Sequence, residues 1–98
     1  MIRHVVMVKL KTLPRPEEEK QQLKQMLEGL MGPVESLKKM EVGLNINPQS
    51  RAYDLVLTAD FDDLEGLQAY REHPEHVKIL NRLKEVADKT AAVDYLIS

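Results

Sequence analysis

Hydrophobic and polar positions along the chain divide it into seven predicted elements. Residues 2–10, Ile-Arg-His-Val-Val-Met-Val-Lys-Leu, are rich in β-branched side chains and are closed by the Pro14-Arg15-Pro16 breaker, which predicts a strand. Counting by twos puts Ile2, His4, Val6, Val8 and Leu10 on one side and Arg3, Val5, Met7 and Lys9 on the other. The first side is nearly all apolar and the second has an apolar centre with charged ends, so both need cover. Pro16 suits the first position of a helix, with Glu17, Glu18 and Glu19 at its positive end as a solvated start. Leu23, Met26, Leu27, Leu30 and Met31 then recur as one stripe, and Gly32-Pro33 predicts a stop through a left-handed cap.

From Lys39 to Asn47 the alternation is clean, with Met40, Val42, Leu44 and Ile46 apolar, which predicts a half-buried edge strand. Asn47-Pro48-Gln49-Ser50-Arg51 is turn chemistry, and Tyr53 to Phe61 completes a hairpin. Asp62 with Glu65 resembles a capping box, so a helix is expected from about Asp63 with Leu64, Leu67 and Tyr70 inward. Pro74 forces the preceding residue out of the helical region, so His73 ends this helix and Pro74 opens another carrying His76, Ile79, Leu80, Leu83, Val86 and Ala87 on its inner face. Residues 91–97 form the last strand.

The order β-α-β-β-α-α-β predicts an α+β, ferredoxin-like fold, a four-stranded antiparallel sheet with helices on one face and the first and third strands central. Val5, Met7, Val56, Val93, Tyr95 and Ile97 then look out on the uncovered face. An apolar patch of that size rarely stays exposed, and a second copy pressing its own sheet there buries the patch on both chains, so a homodimer is expected.

Composition narrows the classes. Ninety-eight residues fit one domain, read here as 1–98. Sixteen acidic against fourteen basic residues leave a formal charge of -2, which offers no electrostatic footprint for nucleic acid or an anionic membrane. The absence of Cys excludes disulfide frameworks, zinc ribbons and thiol nucleophiles. No run approaches the length of a membrane span and no signal-peptide pattern opens the chain, so the expected location is the cytoplasm.

The three histidines are the side chains whose ordinary pKa lies near neutrality. His4 lies on the apolar side of the first strand, His76 on the apolar side of the last helix, and Tyr70 on the inner stripe of the helix before it. Polar groups so placed need partners, and the pattern allows these three to meet in a greasy cavity beneath the helices, with His73 nearer its mouth and Val6, Val8, Leu57, Ile79 and Leu80 as apolar lining. The structural alternative for each is plain: His4 on a backbone carbonyl, Tyr70 filling core volume, His76 at a helix start. His73 and His76 stand three apart beside Glu72 and Glu75, but the break at Pro74 spoils a shared face, so no metal site and no cofactor are expected. Phosphate loops, dinucleotide fingerprints and serine elbows are absent from the sequence.

The segments Ile2 to Lys11, Glu41-Val42-Gly43-Leu44-Asn45, Tyr53-Asp54-Leu55, Tyr70-Arg71-Glu72-His73-Pro74-Glu75-His76-Val77 and Val93-Asp94-Tyr95 resemble the stress-responsive dimeric α/β-barrel (Dabb) family over almost the whole chain. The resemblance implies a ferredoxin-like protomer whose sheet pairs with a partner's into a barrel. It also implies the chemistry of the family's plant branch, olivetolic acid cyclase, which closes a linear polyketide by an aldol step without metal or cofactor. That branch's proton-transferring Tyr and His match Tyr70 and His76, and a further pocket His matches His4; the expected pairing has His76 hydrogen-bonded to Tyr70 and activating it as a base. Its pocket aromatics fall at Gln22, Leu23, Met26 and Leu27, a pocket Trp at Ala87 and a pocket Gly at Leu80, so the polar constellation carries over and the pocket shape does not. Three functions follow as expectations: a cofactor-independent cyclase, lyase or isomerase on a small carbonyl compound; a non-catalytic ligand-binding or stress-response dimer; and a cofactor-free monooxygenase.

Overall fold

In a computed structural model that describes residues 1–97, the β-branched opening run is strand β1 (Ile2–Leu10). Ser98, the last residue of the predicted 1–98 unit, lies outside the described residues. Pro16 opens helix α1 (Pro16–Glu28), and the chain tightens into a 3-10 turn at Gly29–Met31. The exit differs from the predicted left-handed cap: Gly32 has φ -78°, and no described glycine has a positive φ. The 3-10 tightening and a bond from the Val34 N–H to the Leu30 carbonyl at 3.1 Å help to satisfy the helix end instead.

Strands β2 (Lys39–Leu44) and β3 (Leu55–Phe61) form the hairpin. β2 stops short of Asn47 because two asparagines turn the backbone: the Asn47 N–H bonds Asn45 Oδ1 at 2.9 Å and the Gln49 N–H bonds Asn47 Oδ1 at 3.0 Å. Ile46 is consequently 98% exposed. Helix α2 (Leu64–Glu72) is capped by Asp63 rather than Asp62, its carboxylate accepting from the Gly66 N–H at 2.8 Å, which places Leu64 in the first turn and outside the core. Helix α3 (Pro74–Val86) passes directly into β4 (Ala87–Leu96), four residues earlier than the pattern of small residues suggested.

The sheet order is β2-β3-β1-β4 and every pairing is antiparallel, the ferredoxin-like arrangement. Val8, Leu23, Leu27, Leu57, Phe61 and Leu67 anchor the core between sheet and helices. Met26, Met31 and Leu80, predicted on inner stripes, lie partly exposed at the stripe margins. Glu19, predicted to be solvated, is buried: Arg82 of α3 grips it through two guanidinium nitrogens, one at 3.1 Å, and so ties α1 to α3. No described helix is long and apolar enough to cross a membrane.

The opposite sheet face reads in rows across the strands. Lys39, Asp60, Arg3 and Tyr95 share one row, Glu41, Thr58, Val5 and Val93 the next, and Gly43, Val56, Met7 and Ala91 a third. Arg3 clasps Asp60 with two bonds of 2.8 and 2.9 Å. Met7, Val93 and Tyr95 remain exposed beside this pair.

Candidate functional site

Tyr70 is carried inward by the α2 stripe and is fully buried. Its ring packs on Phe61 (centroids 5.0 Å), lies against His76 (4.2 Å) and meets His4 edge-on (6.1 Å). The structure thus brings His4, Tyr70 and His76 together from β1, α2 and α3. The expected Tyr70–His76 hydrogen bond is not formed, since the Tyr70 hydroxyl is buried with no hydrogen-bond partner among the described residues. The two rings instead lie against each other at a tilt of 37°. Burial without a partner disfavours the phenolate and pushes the Tyr70 hydroxyl up to about 12.

The break at Pro74 explains how His76 is held. Pro74 lacks an N–H, so the Tyr70 carbonyl turns to the His73 N–H at 3.2 Å. The Glu75 N–H, the next one in line, bonds the His73 Nδ1 at 3.1 Å, and the Arg71 carbonyl is left to face His76 Nδ1 at 3.3 Å. A carbonyl can only accept, so the contact assigns the proton to Nδ1 and leaves Nε2 of the neutral ring as the base nitrogen. Burial lowers the pKa of His76, opposed in part by this carbonyl and reinforced by the charges of His4, Arg71 and His73, so the ring is held neutral.

His4 is placed by register. Asp94 stands directly opposite it on β4, on the same sheet face, and Asp94 Oδ1 lies 2.5 Å from His4 Nδ1. The other carboxylate oxygen accepts from Arg71 Nη2 at 3.1 Å. β4 is the strand the helices do not cover, so Asp94 and Arg71 are part-exposed at the surface while Tyr70 is buried beneath the helices. Neither Asp94 nor Arg71 was among the sequence-predicted site residues. The signal was present for Asp94: assigning Val93 and Tyr95 to the uncovered face leaves the residue between them on His4's side.

The remaining predicted residues separate. His73 is diverted to capping α3 and lines a groove with Val34, Ser36, Lys38 and Ala69. Val8, Leu57 and Ile79 are buried in the core and Val6 packs at its edge, whereas Leu80 is 38% exposed because α3 turns it outward. Among the described residues no cluster of three His, Cys, Asp or Glu side chains is placed to hold a metal ion.

Residues 2–97 match the family model described as the Stress Responsive A/B Barrel Domain, or Dabb. No curated protein matches the chain. Among solved structures it is similar to a dimeric protein of unknown function and ferredoxin-like fold from Bacteroides fragilis, at 35% identity over 98% of this chain and 95% of that one, with a TM-score of 0.84. It is also similar to a Dabb family protein with a ferredoxin-like fold from Mesorhizobium loti, at 26% identity over 99% and 96% of the two chains and a TM-score of 0.75. In fold alone it matches the hydroxynitrile lyase from Passiflora edulis, at 15% identity over 99% and 93% and a TM-score of 0.84.

Proposed function

The chain belongs to the stress-responsive A/B barrel domain family, and from that premise we propose that it is a homodimer, paired through the helix-free sheet face, whose protomers each use His4, Tyr70 and His76 for cofactor-independent acid–base chemistry on a small carbonyl compound. The observation that carries the chemistry is the Tyr70 hydroxyl, buried with no partner among the described residues. An unsatisfied buried hydroxyl costs about 1–3 kcal/mol, and a bound carbonyl oxygen would supply the missing acceptor. Tyr70, kept protonated by burial, is the hydrogen-bond donor that stabilises a developing oxyanion. His76, neutral and with no hydrogen bond at Nε2 among the described residues, is the base that takes a proton next to the carbonyl. His4, fixed by Asp94, presents its own Nε2 to orient the same molecule. This division differs from the sequence-based expectation, in which Tyr70 itself was the base. Aldol cyclisation and isomerisation begin with such a proton transfer, and in lyase cleavage of a cyanohydrin the same base would take the hydroxyl proton as the C=O bond forms and cyanide leaves.

Support for the dimer comes from the exposed Met7, Val93 and Tyr95 on the helix-free face and from the Bacteroides neighbour's description as dimeric. The test is a panel of small ketones, linear polyketides and cyanohydrins, with rates and calorimetry on wild type, Tyr70→Phe and His76→Ala. Turnover falls by roughly 10²–10⁴-fold in Tyr70→Phe, far more than the loss of the one hydrogen bond to bound substrate accounts for. A non-catalytic binding protein would lose only the affinity of one neutral hydrogen bond, about 0.5–1.5 kcal/mol. Turnover undiminished in Tyr70→Phe would refute the acid–base role.

A further inference from the structure

Both histidines of the cluster lead to one residue outside it. Asp94 divides its oxygens between His4 Nδ1 and Arg71 Nη2, and the backbone carbonyl of the same Arg71 faces His76 Nδ1. Arg71 sits in the last turn of α2, where a cation suits the helix dipole, but its guanidinium reaches across to β4 and pairs with a residue 23 positions on. A carboxylate bonded through one oxygen only can swing about its χ angles into solvent, and Asp94 lies part-exposed at the surface. A guanidinium on the second oxygen removes that freedom, so the first oxygen stays on the imidazole.

We propose that Arg71 is the positioning residue for both histidines: its side chain locks Asp94 in the orientation that fixes His4, and its carbonyl, released by the Pro74 break, fixes His76. This rests on the acid–base reading of the His4, Tyr70 and His76 cluster. The two arms differ in kind, which makes the idea separable from a general structural role. The His4 arm runs through a side chain and is removed by substitution; the His76 arm is backbone and survives every substitution at the position.

The full-length protein labelled with ¹⁵N-histidine, with no ligand added, reads both arms by long-range ¹H–¹⁵N NMR. In wild type His4 Nδ1 carries a proton toward Asp94, and the His76 ring carries its proton on Nδ1 toward the Arg71 carbonyl. In Arg71→Met the His4 Nδ1 proton exchanges roughly 10-fold faster, the share set by losing one charge-assisted bond, and the Nε2–H form of His4 grows, while the His76 signals stay in place. Arg71→Lys, which keeps a cation without the fork, recovers part of the slow exchange. Unchanged His4 signals in Arg71→Met overturn the proposal, and so do equal changes at His4 and His76, which indicate loosening of the whole α2–α3 corner. Failure of the acid–base reading looks different: Tyr70→Phe keeps its turnover although Arg71→Met still moves His4.

Discussion

Arg3 and His4 are consecutive in β1, point to opposite faces of the sheet, and each meets an aspartate on a neighbouring strand, yet the two pairs differ in every respect that bears on chemistry. Arg3 and Asp60 close on each other with two parallel bonds, and the guanidinium holds the Asp60 carboxyl below the usual carboxylate range. Both partners keep their charge through the neutral range and have little left to offer a third molecule. His4 and Asp94 share a single bond, Asp94 is divided with Arg71, and the imidazole meets edge-on the ring of Tyr70, whose hydroxyl has no partner among the described residues. A completed ion pair fixes strands; on the proposed acid–base reading, an incomplete one is what a ligand would complete.

Several substitutions press on that contrast, the largest effect first. Val5→Asp puts an unpaired charge at the centre of the helix-free face, where its desolvation costs several kcal/mol, and light scattering should show the dimer dissociated or the chain unfolded. A wild-type monomer at micromolar concentration removes the reason for pairing on this face. On the other face, Phe61→Ala deletes the ring beneath Tyr70 and should lower stability by about 3–5 kcal/mol in a denaturant titration. A loss under 1 kcal/mol there means the two rings are not packed as described.

The pH dependence of stability tests the cluster of His4, Tyr70 and His76 itself. The folded pKa of His76 lies below the unfolded value of about 6.5, so the unfolded chain binds more protons and stability falls as pH drops through 6.5. His76→Asn should flatten this acid limb, measured as melting temperature against pH. For Tyr70 the folded value is about 12 against 10 unfolded, so stability declines as pH rises between these two values, and Tyr70→Phe should remove that decline. The smallest effect is the most diagnostic: at neutral pH Tyr70→Phe should leave stability unchanged or raised by up to about 1 kcal/mol, because a donor without a partner contributes nothing by being there. A destabilisation of 2 kcal/mol would mean that the hydroxyl has a partner after all.

Much of this arrangement was legible in the sequence, and the residues that were not share a cause. Strand alternation put Ile2, His4, Val6 and Val8 on one face, and Pro74 marked the corner between α2 and α3, because period and backbone stereochemistry are local properties. The convergence of His4, Tyr70 and His76 followed from knowing which stripe faces inward. Their bonding did not, since a hydrogen bond depends on distances of a few tenths of an ångström between elements. Asp94 and Arg71 look like ordinary surface charges until β1 and β4 are aligned, and Glu19 looks solvated until α1 and α3 are packed. Leu64 and Ile46 were misplaced by one choice of cap and one pair of asparagine turns, where local side-chain bonds outweighed the apolar pattern.

β4 has a consequence for the behaviour of the chain in concentrated solution. The strand is ten residues long, is bare of helices, and lies at the border of the sheet, so its outer backbone groups offer a template to any extended chain that passes. Such borders nucleate aggregates when they are flat and apolar. Asp88, Lys89 and Asp94 interrupt the small and apolar residues of this one at both ends, and charges spaced in that way act as gatekeepers that make intrusion by a foreign strand unfavourable. Asp94 therefore answers to two selective demands, and replacing it with a neutral residue should show as a shorter shelf life in concentrated solution as well as a disturbed imidazole.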